Sequence, residues 1–184
     1  MEINIQDIIQ KAESGDAEAQ YMLAYYYLVI NIEDKDKSDD FEYQSLDEML
    51  GYSWLLRAAE NNHKDAIRKI IGYYYGLKAN LIDKHPEKYY WKQIFKWTKR
   101  LADMEDLSAI NNLGNYYYWG NGVEQDYKKA VELYQYASGR GHKDATGNLA
   151  MCYMKGNGVE ANKEKMKELF DLAKSQKSFE KINK

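Results

Sequence analysis

The sequence has one cysteine, Cys152, one proline, Pro86, and three histidines, His63, His85 and His142. A lone thiol excludes an internal disulfide framework, and histidines this far apart supply no zinc-ligand spacing, so neither a structural metal nor a cofactor is expected. No uninterrupted apolar run nears the roughly 18 residues that a membrane span requires, which leaves the membrane out as a partner. The opening residues, Met1-Glu2-Ile3-Asn4-Ile5-Gln6-Asp7, lack the basic segment that precedes a signal-peptide core. The expectation is a chain that starts near residue 1 and works in the cytoplasm. An excess of one charge is missing too: 26 Lys+Arg against 29 Asp+Glu leave a formal charge of −3, with both signs interspersed, so nothing draws the whole chain toward nucleic acid.

What is present is a chain of 184 residues, 45% apolar and 30% charged, with 18 tyrosines. That composition suits a globular protein and excludes disordered and collagen-like classes. With a single helix-breaking proline, it can be helical nearly throughout.

The chain repeats itself. Residues from Ala109 read Ala-Ile-Asn-Asn-Leu113-Gly114-Asn-Tyr-Tyr117-Tyr-Trp-Gly120-Asn-Gly122-Val123, and those from Ala145 read Ala-Thr-Gly-Asn-Leu149-Ala150-Met-Cys-Tyr153-Met-Lys-Gly156-Asn-Gly158-Val159, a period of 36 residues. The template is Ala, then apolar at +4, small at +5 and Tyr at +8. It recurs at Ala19, Leu23, Ala24 and Tyr27, and at Ala66, Ile70, Ile71 and Tyr74, where bulky Ile71 breaks the rule. The intervals from Ala19 to Ala66 and from Ala66 to Ala109, 47 and 43 residues, imply insertions in the two early units.

Positions 0, +4, +5 and +8 share one stripe of a 3.6-residue helix, and the glycines of Gly-Asn-Gly-Val let the chain reverse into a second helix. That second helix starts at Asp126 in the third unit, burying Ala130, Tyr134 and Ala137. In the fourth the corresponding residues are Asn162, Met166, Phe170 and Ala173. In the first unit Ser45 and Glu48 have capping-box spacing ahead of Leu55, Ala58 and Ala59. In the second unit the helix opens near Pro86 and passes Ile94 and Trp97 to Ala102. Residues 4 to 13, with Ile5, Ile8, Ile9 and Ala12, read as a lone capping helix, which makes nine helices.

At these residues the chain resembles the Sel-1-like repeat family, relatives of the tetratricopeptide repeats. The third unit carries the pattern nearly throughout, through Leu113-Gly114, Tyr117, Gly120 to Val123, Asp126, Lys129-Ala130, Tyr134, Ala137 and Gly141-His142, while the fourth departs at Met166 and Phe170. The first two units keep little beyond the first helix and the junctions Ala12 to Gly15 and Ala59 to Asn62. The resemblance implies an all-α fold, an α/α superhelical solenoid of TPR-like helix pairs, acting as an adaptor or inhibitor through protein contacts and without catalysis. The expected organisation is one repeat domain over 1–184: capping helix 1–15, repeat 1 with an acidic loop insertion 16–62, repeat 2 63–105, repeat 3 106–141, repeat 4 142–177 and a tail 178–184.

Several tempting residues have plainer roles. The stripe Tyr27, Tyr74, Tyr117 and Tyr153 is core by its spacing, not a base-stacking platform, which makes Tyr117 a buried ring and Tyr118 an outward one. His63 and His142 occupy the same junction and serve turn hydrogen bonding, since no Ser or Cys nucleophile shares a motif with either. No catalytic residue is assigned. Cys152 reads as an inert small hydrophobe. Asp34, Asp36 and Ser38 fit positions 1, 3 and 5 of an EF-hand loop, but Asp39 and Ser45 stand where Gly and Glu are required. Residues 30 to 43 are therefore expected to be a solvated, mobile acidic insertion. Lys88, Lys92, Lys96, Lys99 and Arg100 recur among Tyr89, Tyr90, Trp91 and Trp97 as the solvent face of an outer helix, with nucleic acid the lesser alternative.

Residues pointing away from the stripe define the candidate partner surface, since first helices line the concave side of helical-repeat arrays. They are Tyr21, Met22, Tyr25 and Leu28; Arg68, Lys69 and Tyr75; Asn111, Asn112, Asn115, Tyr118 and Trp119; and Asn148, Met151, Met154 and Lys155. Tyr, Trp, Arg and Met are enriched in interface cores, and asparagine can pair with a partner's backbone through both amide ends. The expected partner is a protein, as a peptide segment or a domain. One specific case is a toxic effector neutralised by an immunity protein. A nucleic-acid-binding or catalytic helical protein is the alternative of a different class.

Overall fold

Four junctions of one design organise the chain. Gly15, Asn62, Glu105 and Gly141 each take a positive φ, of 99°, 65°, 61° and 87°. The residue after each, Asp16, His63, Asp106 or His142, accepts the backbone N–H of Ala19, Ala66, Ala109 or Ala145 at 2.7, 3.2, 2.9 and 3.3 Å. Its own N–H reaches back to the carbonyl of Lys11, Ala58, Leu101 or Ala137 in the preceding helix. One helix is thereby closed and the next one capped within a few residues, which satisfies donors and carbonyls that helix ends otherwise leave bare. The repeating Ala is the third residue of the new helix, and it is buried at all four places.

The computed structural model describes residues 4–30, 41–80 and 86–176, and among them every regular element is helical. In chain order these are α1 (Ile5–Glu13), α2 (Ala17–Tyr25) continuing as a π-helical turn (Tyr26–Ile30), α3 (Phe41–Glu60), α4 (Lys64–Asn80), α5 (Glu87–Asp103), α6 (Leu107–Trp119), α7 (Tyr127–Gly139), α8 (Lys143–Lys155) and α9 (Lys163–Ser175). Nine α-helices among the described residues match the expected helix pairs and capping helix.

The chain divides into two compact units, Met1–Tyr73 and Tyr74–Lys184. In the first, α2 packs on α1 and α3. Its core of Ala12, Ala19 and Leu23 is lined by Ile5, Ile8, Ile9, Tyr27 and Trp54. In the second, α5 to α9 each pack on the next. Its core runs from Ile110 through Ala130, Val131, Tyr134, Ala145, Leu149 and Cys152 to Leu169. Cys152 is fully buried there, its thiol pushed up to about 11 by that burial, so it is held as an inert neutral group.

The glycine turn of each late repeat is set by a close approach. A Cβ at Gly122 would collide with the Trp91 carbonyl of α5, and one at Gly158 with the Tyr127 carbonyl of α7. The second glycine thus lets the turn lie directly on the preceding repeat's second helix. Asp126 and Asn162 then cap α7 and α9, accepting from Lys129 and Lys165 at 2.9 and 2.8 Å.

Three expectations are corrected. First, α3 starts at Phe41, so Ser45 and Glu48 lie inside the helix rather than forming its capping box, and residues 41–43 are helical rather than part of an excursion. The acidic segment 31–40 itself lies outside the described residues. Second, Tyr118 is only 7% exposed while Tyr117 is half-buried, the reverse of the expected order. Third, Asn111, expected to face outward, is 6% exposed. The cause of the last two is common. At 100° per residue, positions +2 and +9 lie about 60° and 40° beyond the stripe's +5 edge, and the next repeat covers that flank of α6. Asn148 of α8 reaches Asn111, and Asn157 reaches the Tyr118 hydroxyl at 2.8 Å. On α8, where no further repeat follows among the described residues, the matching Met154 is 47% exposed.

Candidate protein-binding site

The flank where α6 meets α8 holds a polar ladder built from three helices. Asn148 on α8 donates through Nδ2 to the Oδ1 atoms of Asn111 at 2.9 Å and Asn115 at 3.1 Å. Asn115 Oδ1 also accepts from the Tyr134 hydroxyl of α7 at 2.8 Å. Burial holds the Tyr134 hydroxyl well above the ordinary tyrosine range, so it stays a neutral donor. These bonds hold both amides in place through Asn115 Oδ1 and Asn148 Nδ2, and each amide has one further polar atom, the Asn115 Nδ2 donor and the Asn148 Oδ1 acceptor.

Beside the ladder is a small cavity of about 110 Å³, lined by Asn115, Tyr118, Trp119, Tyr134, Asn148, Met151 and Lys155. Trp119 stands at 64% exposure, braced edge-on against Tyr118 with ring centroids 4.8 Å apart. The residues expected on this side therefore come together in part: Asn115, Tyr118, Trp119, Asn148, Met151 and Lys155 share the cavity, whereas Asn112 and Met154 are exposed outside its lining and Asn111 lies beneath. Tyr134 is the addition. It was read only as core, yet its hydroxyl orients Asn115. The signal lay in the repeat itself, since 36 residues on the pair Asn115 and Tyr134 becomes Met151 and Phe170, losing amide and hydroxyl together.

Tyr75 turns elsewhere in this unit, its hydroxyl 2.7 Å from that of Tyr116 and its ring edge-on to Trp91. Burial, together with that hydrogen bond, raises its pKa. In the first unit, Tyr21, Met22 and Tyr25 line a separate, mainly apolar cavity of about 470 Å³ with Ile5, Ile8, Glu18 and Tyr26. Leu28 is half-buried against Gly51 of α3. Arg68 pairs with Asp65 at 2.6 Å, and neither Arg68 nor Lys69 lines either cavity.

The basic helix α5 is not a stacking platform. Trp97 and Tyr90 are buried at 2% and 4% exposure. Lys78 covers the Trp91 ring at 4.7 Å, and Lys99 pairs with Asp103. The cleft of about 660 Å³ between α5 and the glycine turn carries Glu87 and Glu124 beside Lys88 and Lys92, a mixed lining unsuited to a phosphate backbone.

His63 and His142 both cap helices. His142 is buried, its Nδ1 accepting from Ala145 and its Nε2 3.3 Å from Ser108 Oγ. Burial lowers its pKa, in keeping with a neutral ring whose Nδ1 must stay unprotonated to cap. His63 lies stacked on Tyr21 and 3.0 Å from Glu18. Among the described residues no group of three His, Cys, Asp or Glu side chains could hold a metal, and no helix is long and apolar enough to cross a membrane.

Comparison with known proteins adds a family. The Sel1 repeat pattern matches residues 17–29, 43–63, 107–142 and 144–178, both halves of the first repeat and all of the last two, leaving the divergent second repeat unmatched. Among solved structures, a Sel1 repeat protein from Oxalobacter formigenes is similar with a TM-score of 0.65 at 25% identity, covering 97% of this chain and 66% of its own. A protective antigen present in uropathogenic Escherichia coli strains, displaying an SLR fold, is similar with a TM-score of 0.63 at 27% identity over 94% of this chain. This chain spans only 33% of that antigen. No curated protein sequence matches the chain at a significant level.

Proposed function

We propose, given that the chain belongs to the Sel1 repeat family, whose repeats are generally protein-interaction modules, that it is a non-enzymatic adaptor or inhibitor gripping a protein partner at the α6/α8 face. The observation that carries this reading is Trp119, largely exposed at the rim of a cavity whose Asn115 and Asn148 amides are already held in place. A half-buried amide pair with one further donor and one further acceptor suits the peptide group of an extended segment, and a pre-oriented pair spares the ordering cost of binding. The exposed ring offers an aromatic anchor, and Lys155 offers a cation beside it.

The test is affinity capture of the partner followed by calorimetry with variants. Trp119→Ala is expected to weaken binding about thirtyfold or more, at about 2 kcal/mol for an aromatic hot spot. Asn115→Ala is expected to weaken it by removing one of the two amides, while Asn148 stays bonded to Asn111. Wild-type affinity in both variants would move the site away from this face. An inhibitor, including an immunity protein facing a toxic effector, forms a one-to-one complex in which the partner's activity is blocked, whereas an adaptor leaves that activity intact.

A further inference from the structure

The second helix of each pair turns one side to the core and the other outward, and the shared junctions make the outward positions comparable. Counting back from His63 and His142, Met49, Leu50, Ser53 and Leu56 of α3 occupy the positions of Lys128, Lys129, Glu132 and Gln135 of α7, and Leu46, one turn earlier, that of Gln125 in the turn before α7. In α9 the four helical positions hold Glu164, Lys165, Glu168 and Asp171, and in α5 they hold Lys92, Gln93, Lys96 and Lys99, with Tyr89 at the position of Leu46. Only in α3 is the outward stripe aliphatic. Leu46, Met49, Leu50 and Leu56 are exposed at 53%, 69%, 37% and 39%, although the opposite side of the helix already buries Leu55, Ala58 and Ala59 in the core. An aliphatic stripe where sister helices carry Lys and Glu costs solubility unless something covers it.

We propose that a second copy of this chain covers it, α3 lying antiparallel on α3 across a twofold axis at Ser53. The stripe suits such self-pairing. Positions three before and three after Ser53 are both leucine, Leu50 and Leu56, so each copy's Leu56 meets the other's Met49 and Leu50. Ser53 is small, and its hydroxyl donates to its own helix at the Leu50 carbonyl, 2.8 Å away, so the axis carries neither bulk nor an unpaired donor. Charge agrees. The antiparallel arrangement brings Arg57, held over the Trp54 ring at 4.5 Å, to the flank of the second copy's Asp47, whereas parallel helices would set Arg57 beside Arg57. The helix dipoles also oppose. A closed twofold contact of this kind uses one patch twice and ends at two copies. One helix stripe is smaller than a standard interface, so the dimer is weak, with a Kd on the order of 10–100 µM.

Sedimentation equilibrium between about 1 and 200 µM is expected to show a monomer–dimer equilibrium at such a Kd. The double variant Leu50→Lys/Leu56→Lys should stay monomeric throughout with wild-type helicity, since the two side chains are 37% and 39% exposed and a lysine stem can keep their remaining contacts. Arg57→Asp should weaken the dimer about tenfold, and adding Asp47→Arg should restore it. Because the native Cys152 is buried, a Ser53→Cys variant reports the axis directly: mild oxidation should give a covalent dimer, whereas Glu132→Cys at the matching position of α7 should not. A chain monomeric at 200 µM, a dimer that survives the double lysine variant, or equal crosslinking of the two cysteine variants would overturn the proposal.

Discussion

Tyr117 and Tyr118 are adjacent on α6, yet one ring is half-buried at the core's edge and the other is enclosed by Asn157 and Tyr127 of the neighbouring elements. Periodicity within one helix ranks them in the opposite order, because it sees only the partner helix of the same pair. The structure makes Tyr118→Ala the costly truncation, at about 3–5 kcal/mol for a buried aromatic. Trp119→Ala should cost about 1 kcal/mol or less, since most of the ring already faces water. Urea unfolding midpoints of the two variants check the order. A second residue-scale expectation concerns acid. The native pKa of His142 lies below its unfolded value, near 6.5. Its neutral form therefore contributes stability that is fully present above that value and is lost as pH falls, because the unfolded chain takes the proton first. His142→Asn keeps a capping acceptor without a titrating ring, so its stability should fall less between pH 7.5 and 5.5 than that of the wild type, as read by urea unfolding at each pH.

At the scale of elements, the helix ends were the most legible part of the chain. Asp126 and Asn162, expected at the starts of the last two second helices, both cap, and in the structure Asp16 and Asp106 do the same at the junctions. His63 and His142 were readable as their counterparts only because the repeat placed them there. Ser45 misled, since a capping box is local chemistry and the helix had already begun at Phe41. The turn glycines have a reason that local chemistry does not contain, a neighbouring backbone in contact where a Cβ would stand. Gly122→Ala and Gly158→Ala should each destabilise by about 2 kcal/mol or more, from the positive φ and the displaced turn together. Gly139→Ala, in the last turn of α7 with open space around its Cα, should be neutral or stabilise by about 0.5–1 kcal/mol. Thermal unfolding of the three variants checks both expectations.

For the whole molecule, a net charge of −3 and the mixed-charge lining of the cleft beside α5 offer no concentrated attraction for phosphate. A thermal-shift screen against nucleotides, divalent metals and single-stranded RNA should leave the melting temperature unchanged. The identified protein partner should raise it, because a ligand specific for the folded state stabilises by mass action, by about 2.7 kcal/mol at a hundredfold excess over Kd. A specific shift with any of the small ligands or RNA would count against the binding-module reading.

The sequence alone determined the repeat, its helix pairs, the positions of the junctions and the buried alanines and leucines of each stripe, because these follow from periodicity and capping over a few turns of one chain segment. Tertiary structure decided which residues flanking those stripes are covered. Asn111 and Tyr118 are buried because α8 and the turn after it lie against α6, while the matching flank of α8 leaves Met154 in solvent. Burial at a flank is a property of two neighbouring repeats, and no pattern within either one contains it.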